Sequence, residues 1–277
     1  MTLVLALQQA QKLGLARLDA QMLLLHALGR NPHDRAWLLA HGDDALPADL
    51  QTPWQNLVQR RAAGEPLAYL TGFKEFFGLR LAVDARVLDP RADTETLVEW
   101  ALEHMQGQTP GAAMDLGTGS GAIALALQQR FPSWQVHALD FSADALAVAQ
   151  ANARRLHLPL VFHQGAWFDG MAQRFALIVS NPPYIAEQDP HLAALQHEPL
   201  QALASGADGL QDIRTIVRQA ADHLLPGGWL LLEHGYDQAA AVCQILKEAG
   251  FDSVQSRHDL AGLLRCSGGQ WQGPTAN

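Results

Sequence analysis

Asn181-Pro182-Pro183-Tyr184 sets one side-chain amide, two prolines and one aromatic ring directly after the apolar run Phe175 to Ser180. Such a run reads as a buried strand, and open α/β sheets do their chemistry where strands end. The prolines keep backbone carbonyls out of helical or ladder hydrogen bonding, so the segment offers fixed acceptors beside an aromatic face. That combination suits a planar NH2 group. A proline-stiffened turn without a ligand explains the same four residues, because Asn and Pro are ordinary turn formers.

A second cluster lies upstream. Asp115-Leu116-Gly117-Thr118-Gly119-Ser120-Gly121-Ala122 is a glycine-rich turn between an expected strand and an expected helix. Three glycines let a ligand come close to the backbone where side chains would collide with it. Read as Gly117-x-Gly119-x-x-Ala122, the turn also satisfies a loose dinucleotide fingerprint. Asp115 disfavours a pyrophosphate there, since a carboxylate repels phosphate but accepts from an ammonium. The third glycine follows two residues after the second, the spacing of S-adenosylmethionine turns. The next strand ends in Asp140, placed to accept from both hydroxyls of an adenosine ribose or to cap the helix that follows.

The elements that must position these residues follow from periodicity. Leucines recur at helical spacing over the first seventy or so residues, with breaks at Gly29-Arg30-Asn31-Pro32, Gly42-Asp43-Asp44 and Gly64-Glu65-Pro66. That predicts a small helical bundle over 1–72. Alternation from Phe73 to Val87 predicts a β-hairpin linker, taken as 73–90. From 91 to 277 the expectation is one catalytic domain. Strands at Ala112 to Leu116, Val136 to Asp140, Leu160 to Gln164 and Phe175 to Ser180 alternate with helices at Ala122 to Arg130 and Ala143 to Leu156, which implies a parallel sheet. Further on come a helix from Asp212 to Leu225, a strand from Trp229 to Glu233 and a helix from Gln238 to Ala249. Strands around Asp252 to Arg257 and Gly262 to Cys266 close the chain as an antiparallel pair across the Asp259 to Gly262 turn. The fold class is α/β with a seven-stranded, mostly parallel, Rossmann-like sheet.

Composition removes several function classes. The 277 residues carry a formal net charge of −9, which argues against affinity built on a phosphate backbone. Only Cys243 and Cys266 occur, without metal-ligand spacing, so neither a disulfide framework nor structural zinc is expected. Twelve histidines include no H-x-x-x-H pair beside a Glu, and no metal is expected. No signal peptide or membrane span is visible, and a cytoplasmic location and a monomer are the expectations.

The chain resembles class I methyltransferases that modify an amide or amino nitrogen, through Asp115 to Gly121 and Asn181 to Tyr184. Arg60 to Gly72 with its Gly-Glu-Pro-x-x-Tyr, Glu75-Phe76-Phe77-Gly78, Pro90-Arg91-Ala92-Asp93-Thr94-Glu95, Glu198-Pro199 and Asp208-Gly209-Leu210 resemble the PrmC/HemK family of protein-(glutamine-N5) methyltransferases. The resemblance implies a helical domain that recognises the substrate, a hairpin linker and a SAM-dependent catalytic domain. It also implies S-adenosyl-L-methionine as methyl donor, S-adenosyl-L-homocysteine as product, and the glutamine of the Gly-Gly-Gln motif in class 1 peptide-chain release factors as acceptor. The cofactor residues it implies are Asp115, Gly117, Thr118, Gly119, Ser120, Gly121, Asp140, Trp167 and Asn181. Trp167 stacks on the adenine edge in that reading, with a structural tryptophan as the alternative. Asn181, Pro182, Pro183 and Tyr184 are the substrate set, with Asn181, Pro182 and Tyr184 as its catalytic members.

Two positions depart from the family pattern. Leu88-Asp89-Pro90-Arg91-Ala92 stands where Ile-Pro-Arg-Pro is commoner, and Ala166 precedes Trp167 where an acid is often found. The expected chemistry needs no metal and no covalent intermediate. The Asn181 side-chain oxygen and the Pro182 carbonyl accept the two N–H groups of the substrate amide, and Tyr184 packs against it. A ribosomal-protein glutamine is the alternative acceptor, and adenine N6 of a nucleic acid is another. Arg60-Arg61 meets an acidic partner or forms a solvated face, and Glu198 positions a substrate loop or starts a helix. Gly268-Gly269-Gln270 near the end copies the supposed substrate motif, by chance or as a self-inhibiting tail.

Overall fold

A computed structural model describes residues 1–273, and so the last four residues of the expected 91–277 domain lie outside it. The chain divides into two compact units, Met1–Phe73 and Lys74–Asn277. The first holds five helices, α1 (Leu3–Lys12), α2 (Arg17–Ala27), α3 (Arg35–Ala40), α4 (Ala48–Ala62) and α5 (Leu67–Thr71). The breaks between α2, α3, α4 and α5 fall at the three Gly- and Pro-bearing turns expected from sequence. Helices this short are marginal alone. Leu3, Leu23, Leu24, Leu25 and Trp54 are almost fully buried among them, and that shared core holds the bundle together.

The second unit begins in a hairpin of β1 (Phe73–Phe76) and β2 (Leu79–Ala82), turned at Phe77-Gly78 with positive φ at both. There follow α6 (Thr94–Met105), β3 (Ala112–Leu116), α7 (Ala122–Arg130), β4 (Gln135–Asp140), α8 (Ala143–Leu156), β5 (Val161–Gln164) and β6 (Phe175–Ser180). The chain closes with α9 (Gln211–His223), β7 (Leu224–Glu233), α10 (Ala239–Glu248), β8 (Asp252–His258) and β9 (Leu264–Trp271). Seven strands form one sheet in the order β5-β4-β3-β6-β7-β9-β8. β5, β4, β3, β6 and β7 are parallel neighbours, while β9 runs antiparallel to both β7 and β8. The expected mostly parallel, seven-stranded sheet is present.

Three stretches differ from expectation. α6 was not expected, because its helical pattern starts inside the Pro-Arg-Ala-Asp-Thr-Glu segment; Leu97, Val98, Trp100, Ala101 and Met105 form its buried stripe. β7 starts at Leu224 and not Trp229, since Pro226-Gly227-Gly228 is an irregularity inside a strand and not the turn that those residues suggest. β9 runs on to Trp271, so Gly268-Gly269-Gln270 is strand and not tail. A side chain at Gly268 would meet the Leu230 carbonyl at 2.7 Å and Trp100 at 3.0 Å. Packing therefore explains that glycine. Cys266 pairs with Glu233 at the edge where the parallel strands end, while Gln270 pairs with Trp229 towards the other, which removes the self-inhibiting tail.

Candidate active site

Sheet order reverses between β3 and β6: the chain proceeds outward from β3 to β4 and β5, then returns to β6. Register sets Leu116 level with Leu139 and Ser180, and Ser180 level with Leu232. The residues that follow those strands therefore share one edge, at the crevice where such sheets take ligands. A cleft of about 290 Å³ opens there, lined among others by Gly117, Gly119, Asp140, Trp167, Asn181 and Pro183. Strand β6 is locked to β3 at this edge by the Ser180 hydroxyl, which donates to the Leu116 carbonyl at 2.7 Å.

The glycine turn is fixed from both sides. Gly117 and Thr118 donate backbone N–H bonds to the Leu139 carbonyl, each at 2.9 Å, and Gly119 N–H donates to Asp140 Oδ2 at 2.8 Å. Gly117, Gly119 and Gly121 all have positive φ, the conformation in which glycine carries no Cβ penalty. From α8, the buried Asn152 donates to the Ser120 carbonyl at 3.0 Å and exchanges two bonds with Ala82 of β2, 2.7 and 2.9 Å long. One amide thus ties hairpin, helix and turn together.

The two acids occupy different positions. Asp140 lines the cleft, and Oδ1 accepts the Ser142 N–H at 2.9 Å. The cap of α8 is Ser142, whose hydroxyl accepts from Ala145 N–H, and so Asp140 does not serve as the helix cap. Burial raises the Asp140 pKa, with the bonds from Gly119 and Ser142 acting against the rise. Each of its oxygens keeps a lone pair for a further donor. Asp115 lies below the turn, wholly buried and outside the cleft lining. Oδ2 accepts from the Thr118 hydroxyl at 2.7 Å and from Ala124 N–H at 3.1 Å, whereas Oδ1 has no hydrogen-bond partner. Burial pushes its pKa up to about 7. Thr118 and Ser120 are likewise buried beneath the turn.

These groups fit a cationic adenosine ligand. Uncapped Gly117 and Gly119 admit its close approach, Asp140 offers lone pairs to vicinal hydroxyls, and Trp167 supplies an aromatic wall. Asp115, expected to meet a ligand's ammonium, is sealed beneath the turn and braces it through Thr118 and Ala124 instead of lining the cleft. Phe141, 71% exposed, also lines the cleft and was missed in the sequence, although an aromatic directly after the strand-ending acid was the available signal.

At the other end of the cleft Asn181 donates from Nδ2 to the Thr94 hydroxyl at 3.2 Å. Its Oδ1 is thereby left as the free acceptor. Pro182 is buried, and neither it nor Tyr184 belongs to the cleft lining. Tyr184 packs against the core, and its hydroxyl donates to Glu233 Oε1 at 3.3 Å. Burial raises the Tyr184 pKa, and the neighbouring Glu233 raises it further. The four consecutive residues thus divide: Asn181 and Pro183 line the cleft, whereas the rings of Pro182 and Tyr184 lie outside its lining.

The family-like segments have structural tasks. Arg91 pairs with the buried Glu198 at 2.5 Å, and the other Glu198 oxygen accepts Asp89 N–H at 3.2 Å, so Glu198 joins its loop to the linker. Glu95 accepts the Phe77 N–H at 2.9 Å and holds the hairpin turn. A Cβ on Gly209 would collide with the Tyr184 carbonyl, which is why Asp-Gly-Leu passes there. Within the helical unit Arg61 pairs with Asp19 at 2.8 Å and Arg60 with Glu65 at 2.5 Å, so both arginines brace the unit itself. Thr94 and Glu233 are buried polar groups beside the tetrad that the sequence did not single out. No group of three or more metal-ligating side chains occurs among the described residues.

Family models match both parts of the chain. Residues 3–72 match the PrmC N-terminal domain and residues 94–249 the methyltransferase small domain. A release factor glutamine methyltransferase of Bordetella pertussis is 49% identical over 260 residues, covering 92% of this chain and 95% of that protein. One from Xylella fastidiosa is 48% identical over 273 residues, covering 97% and 98%. Among solved structures the hMettl16 catalytic domain in complex with the MAT2A 3'UTR hairpin 1 superposes with a TM-score of 0.59 at 16% identity, covering 80% of this chain and 83% of that one. A methyltransferase from Pyrococcus furiosus gives 0.52 at 18% identity, covering 80% and 100%. At those identities the structural likeness concerns the fold alone.

Proposed function

Because this chain belongs to the release factor glutamine methyltransferase family, we propose that it transfers a methyl group from S-adenosyl-L-methionine to N5 of the glutamine in the Gly-Gly-Gln motif of class 1 peptide-chain release factors. In this reading it acts in the cytoplasm as a monomer, and the helical unit of residues 1–72 recognises the release factor. The observation that carries the reaction is the Asn181 amide, whose N–H is committed to Thr94 at 3.2 Å while its oxygen remains free on the cleft that Asp140 also lines.

When bound, S-adenosyl-L-methionine supplies a sulfonium methyl, an electrophile that needs a nucleophile presented in line. Asp140 would hold its ribose hydroxyls, Gly117 and Gly119 would face its amino-acid portion, and Trp167 and Phe141 would border its adenine. Thr118, Ser120 and Gly121 shape the turn from behind, and Asp115 holds the turn through Thr118 and Ala124.

An amide nitrogen is a poor nucleophile because its lone pair is shared with the carbonyl. Alignment and charge stabilisation must therefore do most of the catalytic work. Asn181 Oδ1 accepts one substrate N–H and the Pro182 carbonyl the other, which turns the nitrogen lone pair towards the methyl. The same acceptors stabilise positive charge that develops on nitrogen as the new bond forms. Pro183 borders the glutamine side chain. Tyr184 supports the segment from the core side through its bond to Glu233, and the proton leaves to water after transfer.

Incubation with labelled S-adenosyl-L-methionine and a release factor tests the reading. Label should enter the factor that carries the Gly-Gly-Gln glutamine and not one in which that glutamine is replaced. Equal label in both would move the target elsewhere.

A further inference from the structure

Pro182 and Pro183 have no N–H groups, so the segment that carries the Pro182 carbonyl cannot anchor itself through its own donors. Its position must come from the residues on either side. Upstream, Ser180 is fastened to β3 by its hydroxyl bond to the Leu116 carbonyl at 2.7 Å, and Asn181 rests on Thr94. Downstream, the Leu203 carbonyl accepts the N–H groups of Tyr184 and Ile185 at 3.2 and 2.9 Å, and Ser205 N–H donates to the Ile185 carbonyl at 2.9 Å. The remaining group is the Tyr184 carbonyl, and a side chain 54 residues further on holds it: Gln238 Nε2 donates to it at 3.0 Å.

Gln238 stands at the N-cap position of α10, yet its side chain makes no capping bond. Instead its amide joins three segments. Oε1 accepts Gly235 N–H at 2.8 Å, in the loop after β7, while Nε2 donates to the Tyr184 carbonyl and, at 3.3 Å, to the Asp208 carbonyl. These partners fix which way the amide faces, since turning it by half a turn would set its NH2 against a donor and its oxygen against two carbonyls. A Cβ at Gly209 would lie 2.8 Å from Gln238 Nε2 and one at Gly235 3.0 Å from Oε1, so both glycines leave room for it. We propose that Gln238 is a positioning residue for the methyl transfer. By holding the Tyr184 carbonyl to the loop after β7, it fixes the downstream end of the Pro-Pro segment and with it the direction of the Pro182 carbonyl towards the substrate N–H. The proposal rests on the acceptor reading given under Proposed function. Gln238 itself lies outside the cleft lining, so the donor's contacts do not run through it.

The test is kcat, KM for donor and acceptor, and melting temperature of the full chain with a release factor, from about pH 5.5 to 9, for wild type, Gln238→Ala and Gln238→Glu. Gln238→Ala should lower kcat about tenfold, as a misaligned acceptor does, and leave the KM for S-adenosyl-L-methionine near wild type. In Gln238→Glu a protonated carboxyl keeps an acceptor for Gly235 and a donor for Tyr184, whereas a carboxylate sets its charge against two carbonyls. Its kcat relative to wild type should therefore be lowest near pH 9 and recover several-fold as pH falls. Asp237 and Asp208, the latter paired with Arg214 at 2.6 Å, are common to both proteins, so the ratio isolates residue 238. A merely structural role would shift the melting temperature without that recovery. Wild-type kcat in Gln238→Glu at pH 9, or a ratio that stays at one value across the range, would overturn the proposal. So would a Gln238→Ala variant whose loss lies in the KM for the donor. Wild-type chain that leaves the release factor unlabelled fails before any variant is compared, and removes the acceptor reading together with what rests on it.

Discussion

An asparagine amide keeps its shape when turned by half a turn, so its chemistry is set by what holds it. Asn181 is held by Thr94, and its oxygen is the group left to work. Asn181→Ala should reduce turnover on a release factor by about 10- to 1000-fold, the scale of losing one oriented polar contact in a transition state. Steady-state kinetics at saturating donor would show it, and near-normal turnover would dispose of the role. Asp115 makes a second prediction. Its folded pKa of about 7 lies above the ordinary 3.8, so between those values the folded chain binds more protons than the unfolded one, and the contribution of this group to stability falls as pH rises through that window. Asp115→Asn should therefore narrow the difference in melting temperature between about pH 5 and pH 8, and an unchanged difference would contradict the burial argument. Asn181, Asp140 and the glycines were legible as residue types at strand ends. Thr94 and Glu233 were not, because nothing local marks a threonine at a helix start or a strand-end glutamate as partners of a residue far along the chain.

At the scale of elements, alternating apolar runs and helical stripes sufficed to locate β3, β4, β6, α7 and α8 and to imply their parallel arrangement. Two misreadings fall where glycines lie inside strands, Gly228 and Gly268 under close packing and Gly227 with a positive φ. Pro226-Gly227-Gly228 and Gly268-Gly269 look like breaks in a sequence but lie inside β7 and β9, since local patterns cannot register that Trp100 and Leu231 press on β9. Gly268→Ala should therefore destabilise the chain by about 1–3 kcal/mol, the usual cost of overpacking a close-fitted site. Thermal or denaturant unfolding followed by circular dichroism measures this, and a neutral substitution would show that β9 has room that its contacts deny. Pro182 and Tyr184 were also harder to place than Asn181. Sequence sets them side by side, whereas the turn sends one into a buried position and the other to Glu233.

For the whole molecule, two compact units and a net charge of −9 bear on what the cleft serves. Chains that hold nucleic acid concentrate positive charge against phosphate, and their binding weakens steeply with salt. Titration of this protein with duplex or single-stranded nucleic acid should give no strong, salt-steep binding; finding it would revive adenine as the acceptor. The glycine turn and the strand-end acid point to the donor, and the free Asn181 oxygen suits an amide. The decisive observation is where the methyl goes. Wild-type chain, S-adenosyl-L-methionine and an intact release factor should yield, by fragmentation mass spectrometry, a single methyl on the side-chain nitrogen of the Gly-Gly-Gln glutamine. A methyl on any other residue, or none on the factor, would contradict the account.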